Sequence, residues 1–274
     1  FWLDSPARPE QTLPLAADVT CDLLVIGGGF SGLWTALLAK QRNPARDVVL
    51  VEAGRVADGA SGRNGGFVSP SLTHGISNGS ERWPDEMPEL LRLGHANLDA
   101  IEIDIESLGI DCGFRRADEI TAAVQEHQVA DLLRTAATAR ALGEPVEVLD
   151  AAGVRSRVRS ASYLGAIAEP GIGLVDPARL AWGLLRACRS LGVHVFEGTP
   201  VVSLDRDGAL MLASTPSARV TAGRVAMATN VYPPLLKRVS HYVVPVYDYV
   251  LMSEPLTDEQ WAAIGWDGRE GMSD

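Results

Sequence analysis

The apolar positions between residues 21 and 68 change period twice. Leu23-Leu24-Val25-Ile26 is an unbroken apolar run, as a strand buried on both faces requires. Gly27-Gly28-Gly29-Phe30-Ser31-Gly32 interrupts it, and Leu33, Ala36 and Leu37 then recur at helical spacing. A second apolar run, Val48-Val49-Leu50-Val51, ends on Glu52. The pattern predicts a strand, a tight turn, a helix and a second strand.

Farther along, helical spacing dominates. Met87, Leu90, Leu91, Leu98, Ile101, Ile105 and Leu108 share one face before a stop at Gly109. Val129, Leu132, Leu133, Ala136, Ala139 and Leu142 share another before Gly143. Asp176-Pro177 supplies an N-cap and a first-turn proline for a third helix. Leu180, Leu184, Leu185, Cys188 and Leu191 form its expected buried face. Residues 193–196 and 225–227 read as strands. Residues 242–252 read as extended, with Tyr247, Tyr249 and Leu251 on one face and Val246, Asp248 and Val250 on the other. Residues 1–20 form a proline-rich arm whose Phe1, Trp2 and Leu3 can pack on the body.

The glycine turn carries the chemistry. In a G-x-G-x-x-G turn, Gly27 reverses the strand, Gly29 admits a pyrophosphate to the backbone, and Gly32 lets the helix press on the sheet. The helix N-terminus favours an anion. Glu52 stands about 20 residues beyond the last glycine, where an acid accepts hydrogen bonds from ribose hydroxyls. Its charge would repel a 2′-phosphate, which argues against NADP, and Arg55 reads as a solvated surface arginine. The glycines do not separate NAD from FAD. The loop Gly59-Ala60-Ser61-Gly62-Arg63-Asn64-Gly65-Gly66 suits a flat ligand pressed against main chain, although its composition equally describes a flexible loop.

Together, this turn and loop resemble the FAD-dependent oxidoreductases of the D-amino-acid oxidase superfamily, in particular the branch containing gamma-glutamylputrescine oxidase and related amine oxidoreductases. The resemblance implies non-covalent FAD held by Gly27, Gly29, Phe30, Ser31, Gly32, Glu52, Ala53, Gly54 and Arg55. It makes Ser61, Arg63, Asn64, Gly65 and Gly66 contacts along the flavin. Residues 174–180 match the family's return helix, and Gly198-Thr199-Pro200-Val201 matches a strand that meets the adenine at Val201. Ala228, Thr229 and Asn230 match a segment beside the cofactor, and residues 244–256 match a strand crossing the substrate domain.

The implied fold is α/β: a discontinuous Rossmann-like FAD-binding domain (21–74 and 177–235) with an inserted α+β substrate domain (75–176 and 236–274). The implied reaction is oxidation of a C–N bond in an amine or amino acid by hydride transfer to flavin N5, with O2 or a carrier as electron acceptor. Arg63 is a candidate for stabilising reduced flavin or binding a substrate carboxylate; tying down its own loop is the alternative. Tyr247 and Tyr249 either line the cavity or pack in a sheet core. His74 either approaches the site or lies on the surface, and Phe67 leaves an apolar flavin face. Nothing after Leu256 resembles the family's C-terminal part, so the chain reads as C-terminally truncated. Oxidation of a hydroxy acid or polyol, and a non-catalytic FAD-binding piece, stay open beside the amine reading.

Composition narrows the partners. The chain has 274 residues, net charge −11 and 46% hydrophobic residues, enough for a full core and unsuited to nucleic acid or an anionic membrane. The three cysteines, Cys21, Cys112 and Cys188, and the five histidines show no metal-ligand spacing. Cys21 and Cys188 fall at core positions, which suits a reducing cytosol. Asp4, Arg8 and Glu10 precede any apolar run, so no secretory signal is read. No apolar stretch reads as a membrane span. Cytoplasmic location is expected. Arg155, Arg157 and Arg159 read as a solvated basic run.

Overall fold

The computed structural model describes residues 1–232, 235–247 and 249–274. In chain order the strands and helices are β1 (Val19–Ile26), α1 (Phe30–Arg42), β2 (Val48–Val51), β3 (Phe67–Val68), α2 (Ile76–Arg82), α3 (Met87–Ser107), β4 (Arg115–Ala123), α4 (Glu126–Ala141), β5 (Glu147–Asp150), α5 (Ala151–Arg157), β6 (Gly165–Leu174), α6 (Pro177–Ser190), β7 (His194–Phe196), β8 (Ser203–Asp207), β9 (Leu210–Ser214), β10 (Arg219–Met227), α7 (Asp258–Ile264) and β11 (Gly271–Ser273). They divide into two compact units.

Unit 1 comprises Phe1–Gly65, Leu108–Cys112 and Asp176–Leu251. Its sheet runs β7-β2-β1-β10-β9-β8. Strand β1 is parallel to both β2 and β10, and β2 to β7. Buried on both faces, β1 and β2 need the continuous apolar runs seen in the sequence: Leu24, Val25 and all of β2 are almost fully enclosed. On one face α1 lies against α6, burying Leu33, Ala36 and Leu37 with Leu180, Leu184, Leu185 and Cys188. Each of these leucines contributes about 1.5–3 kcal/mol over an exposed position. Asp176 caps α6 by accepting the Arg179 N–H at 3.0 Å, with Pro177 in the first turn. Leu191, expected in the buried face, is exposed because α6 ends before it at a turn with Gly192 at φ +84°.

Unit 2 comprises Gly66–Ser107, Gly113–Val175 and Met252–Asp274. Its sheet runs β11-β4-β6-β3, with β5 also on β6. Ile120, Ala122, Leu149, Val154, Ala166 and Ala168 form a core cluster. The helical pattern of 126–141 is realised as α4, opened by a capping box between Gln125 and Gln128. Arg157 pairs with Glu147 and Glu270, and Arg159 donates to the Ala262 carbonyl at 3.0 Å. Arg155 and Arg159 are exposed, as expected of a solvated run, while Arg157 and Arg159 also hold residues near the end of the chain.

These boundaries differ from the expected ones for physical reasons. The arm belongs to unit 1, since Leu15 is only 3% exposed and sits in its core cluster. Residues 66–74 belong to unit 2 because β3 pairs with β6. Residues 108–112 return to unit 1, where Ile110 occupies the space left by Gly183 on α6. The predicted strand over 242–252 does not form: the described residues of that stretch carry no strand, and Asp248 lies outside the described residues. A strand exists only through a ladder of hydrogen bonds to a neighbour. Among the described residues, neither sheet extends to the segment.

Candidate functional site

The glycine turn between β1 and α1 is shaped by contacts that leave no room for side chains. Gly27 has φ +112°, and a Cβ there would lie 2.4 Å from the Ala228 carbonyl oxygen. A Cβ on Gly32 would lie 1.9 Å from the Gly27 carbonyl oxygen, so this glycine joins the helix to the strand. A Cβ on Gly29 would meet Ser61 Oγ at 2.9 Å. Gly29 thus makes room first for the neighbouring loop, a role the glycine pattern alone did not show.

Ser61 explains that approach. Its Oγ accepts the Phe30 N–H at 2.9 Å, capping α1 from another segment. That leaves the hydroxyl proton of Ser61 available to donate. Among the described residues, Ser31 and Gly32 lie in the opening turn of α1, whose N–H groups face outward and favour an anion.

Glu52 sits at the end of β2, where its two oxygens accept the Gly28 N–H at 2.7 Å and the Gly54 N–H at 2.8 Å. A carboxylate has about four acceptor positions, so this one can still receive hydroxyl donors. Its own backbone is held on both sides: its N–H donates to Phe196 and its carbonyl receives the Thr199 N–H at 2.8 Å. Ala53 and Gly54 are exposed beside it. Arg55 is not a free surface arginine; it donates to the Pro9 carbonyl.

The structure brings most of the other expected residues to this place. Ala228 donates its N–H to Ile26 at 2.8 Å, which sets residues 228–230 beside the turn. Asn230 adopts φ +50° in the bend that follows. Residues 198–201 form a loop after β7 and not a strand, because β7 stops at Phe196 and the Gly198 N–H turns to the Gly54 carbonyl at 2.8 Å. Val201 packs beside the core cluster of the sheet. In the second loop, Asn64 donates to the carbonyls of Ala60 and Ser61 at 3.1 and 2.9 Å. Arg63 Nε donates to the Asp58 carbonyl at 2.6 Å, which realises the loop-tying alternative. Gly65 ends the first stretch of unit 1, and Gly66, at φ +82°, begins the first stretch of unit 2.

Burial separates the readings of other candidates. Tyr247 is 78% exposed and Tyr249 85%, so neither packs in a sheet core. His74 is exposed on unit 2 at φ +57°. Phe67 is 39% exposed, and its ring lies over Gly271 of β11, where a Cβ would meet it at 2.2 Å. The three cysteines are buried. Burial, with Asp47 nearby, pushes the Cys21 thiol up to about 11, and burial pushes Cys188 up to about 12. Among the described residues, no three His, Cys, Asp or Glu side chains could hold a metal, and no helix is long and apolar enough to cross a membrane.

One residue escaped the sequence reading. Glu197 is 3% exposed, yet it carries a carboxylate at the end of β7. Its Oε1 accepts the Val56 N–H at 2.7 Å and its Oε2 the Thr12 N–H at 2.6 Å. The available signal was an acid closing an apolar run, the same pattern that singled out Glu52.

A strand, a Cβ-free turn, a capped helix and a carboxylate at the next strand end make a cradle for a dinucleotide. The sequence matches the DAO family, FAD dependent oxidoreductase, over residues 22–273. The chain belongs to this family of FAD-dependent oxidoreductases. It is 28% identical over 265 residues to the protein named "Probable oxidoreductase OrdL" of Haemophilus influenzae, covering 94% of this chain and 61% of that one. It is 31% identical over 255 residues to gamma-glutamylputrescine oxidoreductase of Escherichia coli, covering 89% of this chain and 58% of that one. The crystal structure of glycine oxidase from Geobacillus kaustophilus superposes with a TM-score of 0.65 at 25% identity, over 78% of this chain and 56% of that one. This DAO chain spans about three fifths of the length of these curated relatives. FAD is the cofactor of the family, and the cradle in unit 1 fits its adenosine diphosphate part.

Proposed function

We propose that unit 1 binds FAD non-covalently and that the protein oxidises the C–N bond of a small amine or amino acid. The observation that carries this is the shared architecture of Gly27–Gly32, the Ser61-capped α1 and the doubly held Glu52, in a chain of the DAO family. The names of its relatives, gamma-glutamylputrescine oxidoreductase and glycine oxidase, support an amine or amino-acid substrate.

Each residue then has a role. The N–H groups of Ser31 and Gly32 and the hydroxyl of Ser61 would hold the pyrophosphate, and Glu52 would accept hydrogen bonds from the ribose hydroxyls. Residues 228–230 and the 59–65 loop, with Asn64 and Gly65, would flank the remainder of the cofactor, and Arg63 would offer its terminal guanidinium nitrogens to negative charge. FAD, when bound, supplies the hydride-accepting chemistry, with O2 or a carrier taking the electrons afterwards and water hydrolysing the imine product.

The test is optical. The chain is mixed with FAD, desalted, and its visible spectrum recorded before and after anaerobic addition of a diamine or an amino acid. A retained flavin band that bleaches with the amine is expected. Loss of the band on desalting would refute the binding site, and a retained band bleached only by hydroxy acids would refute the substrate class.

A further inference from the structure

Buried inside unit 1, away from the turn that faces the phosphates, Glu197 has no part in the chemistry described so far. A carboxylate enclosed to this degree must be hydrogen-bonded to be tolerated. Its partners come from distant parts of the chain: Thr12 in the arm and Val56 in the loop after β2. The backbone adds a reciprocal bond, in which the Glu197 N–H donates to Thr12 Oγ1 at 3.0 Å. Two residues on, the Thr199 hydroxyl accepts the Leu15 N–H at 3.0 Å.

The rest of the arm follows the same course. Arg8 forms an ion pair with Asp58, Arg55 reaches back to the Pro9 carbonyl, and Trp2 Nε1 donates to the Asn64 carbonyl at 3.0 Å. The arm is therefore fastened along its length to residues 55–64 and 197–199, the segments flanking the adenosine cradle. From Glu197 a short path leads to that cradle. Val56 lies against Gly28, where a Cβ would meet its Cγ2 at 2.9 Å, and the Gly28 N–H meets Glu52.

We infer that the arm is a strap that holds the cofactor cradle in its binding geometry, and that Glu197 is its latch, a positioning residue for FAD acting through Val56, Gly28 and Glu52. This rests on the reading of unit 1 as the FAD site. The requirement is for two acceptor oxygens. A glutamine at 197 would turn an NH2 group toward one of two backbone N–H donors and leave that buried donor unmet. The carboxylate itself never touches the cofactor.

The experiment compares the full chain with Glu197→Gln, Thr12→Val and Thr12→Ser. FAD affinity is measured by titration of the apo-protein, and hydrogen exchange is followed by mass spectrometry without FAD. The unaltered chain is titrated first, so failure of the FAD reading shows there and independently of the strap. Glu197→Gln is expected to weaken FAD binding by about tenfold or more and to speed exchange over residues 10–16 and 54–58, while residues 23–26 stay protected. Thr12→Val should do the same to a smaller degree, and Thr12→Ser, which keeps the hydroxyl, should restore both readouts. If Glu197→Gln does not fold, the Thr12 pair decides alone. Unchanged affinity in Thr12→Val with faster exchange at 10–16 would overturn the inference, because the arm would then be attached without positioning anything. Equal loss in Thr12→Val and Thr12→Ser would also overturn it.

Discussion

Replacing Gly32 by alanine sets two effects of opposite sign against each other. Within an exposed helix, glycine to alanine stabilises by about 1 kcal/mol, through reduced backbone freedom in the unfolded chain. Here the added Cβ would lie 1.9 Å from the Gly27 carbonyl oxygen and 3.3 Å from Val25 Cγ1. A side chain could rotate away, but the obstacle is main chain in a turn fixed by Gly27 N–H to Val51 and Ala228 N–H to Ile26, both at 2.8 Å. Helix α1 must shift by about 1 Å to restore contact distance. Overpacking of this kind costs about 1–3 kcal/mol, and a backbone obstacle puts it at the upper end. The net expectation is a loss of about 2 kcal/mol, which at typical denaturant slopes lowers the urea midpoint by about 1 M. The same shift draws the opening turn of α1 away from the pyrophosphate, so FAD affinity should fall together with stability. The assay is urea unfolding followed by circular dichroism, beside an FAD titration. A variant at least as stable as the parent with unchanged FAD affinity would refute the reasoning, since helix propensity would then have outweighed the clash.

Other expectations follow from single groups. Glu52→Gln leaves one acceptor for two backbone N–H donors and removes the charge; FAD affinity measured by titration should fall by about tenfold or more. The thiols of Cys21 and Cys188, raised by burial to about 11 and about 12, should be silent toward a thiol reagent at pH 8 in the native chain and react on unfolding. Glu169 in unit 2 is held above the usual carboxylate range, first by burial and then by the charges of Glu119, its cross-strand neighbour, and Glu144. A carboxyl raised in the folded state contributes stability that is fully present below its unfolded pKa and is lost as pH rises through the folded value. Glu169→Gln should therefore raise the urea midpoint at pH 7, with the gain vanishing toward pH 4.

Much of the cradle was legible because its signals are local. The apolar run of β1, the glycine spacing, the helical period of α1 and the acid after β2 lie within a few tens of residues and each reflects one short-range constraint. The Asp176-Pro177 start of α6 was readable for the same reason. The β8–β9 hairpin was not read, although Asp207-Gly208, with Gly208 at φ +58°, is a turn signal between its strands. The strand expected over 242–252 failed for the opposite reason: its alternation is local, but a strand depends on a partner that local sequence does not specify.

By itself the sequence determined the strand–turn–helix at the start of unit 1, the acid that closes the next strand, and membership of a flavoenzyme family. Only the tertiary structure decided what Gly29 makes room for, that Arg55 and Arg63 are tied to backbone carbonyls, and that Glu197 joins the arm to the loop after β2. The reason lies in range. Steric turns and helical periods are set by neighbours along the chain, whereas the partner of a buried charge is whatever folding brings to it, here Thr12 from 185 residues away.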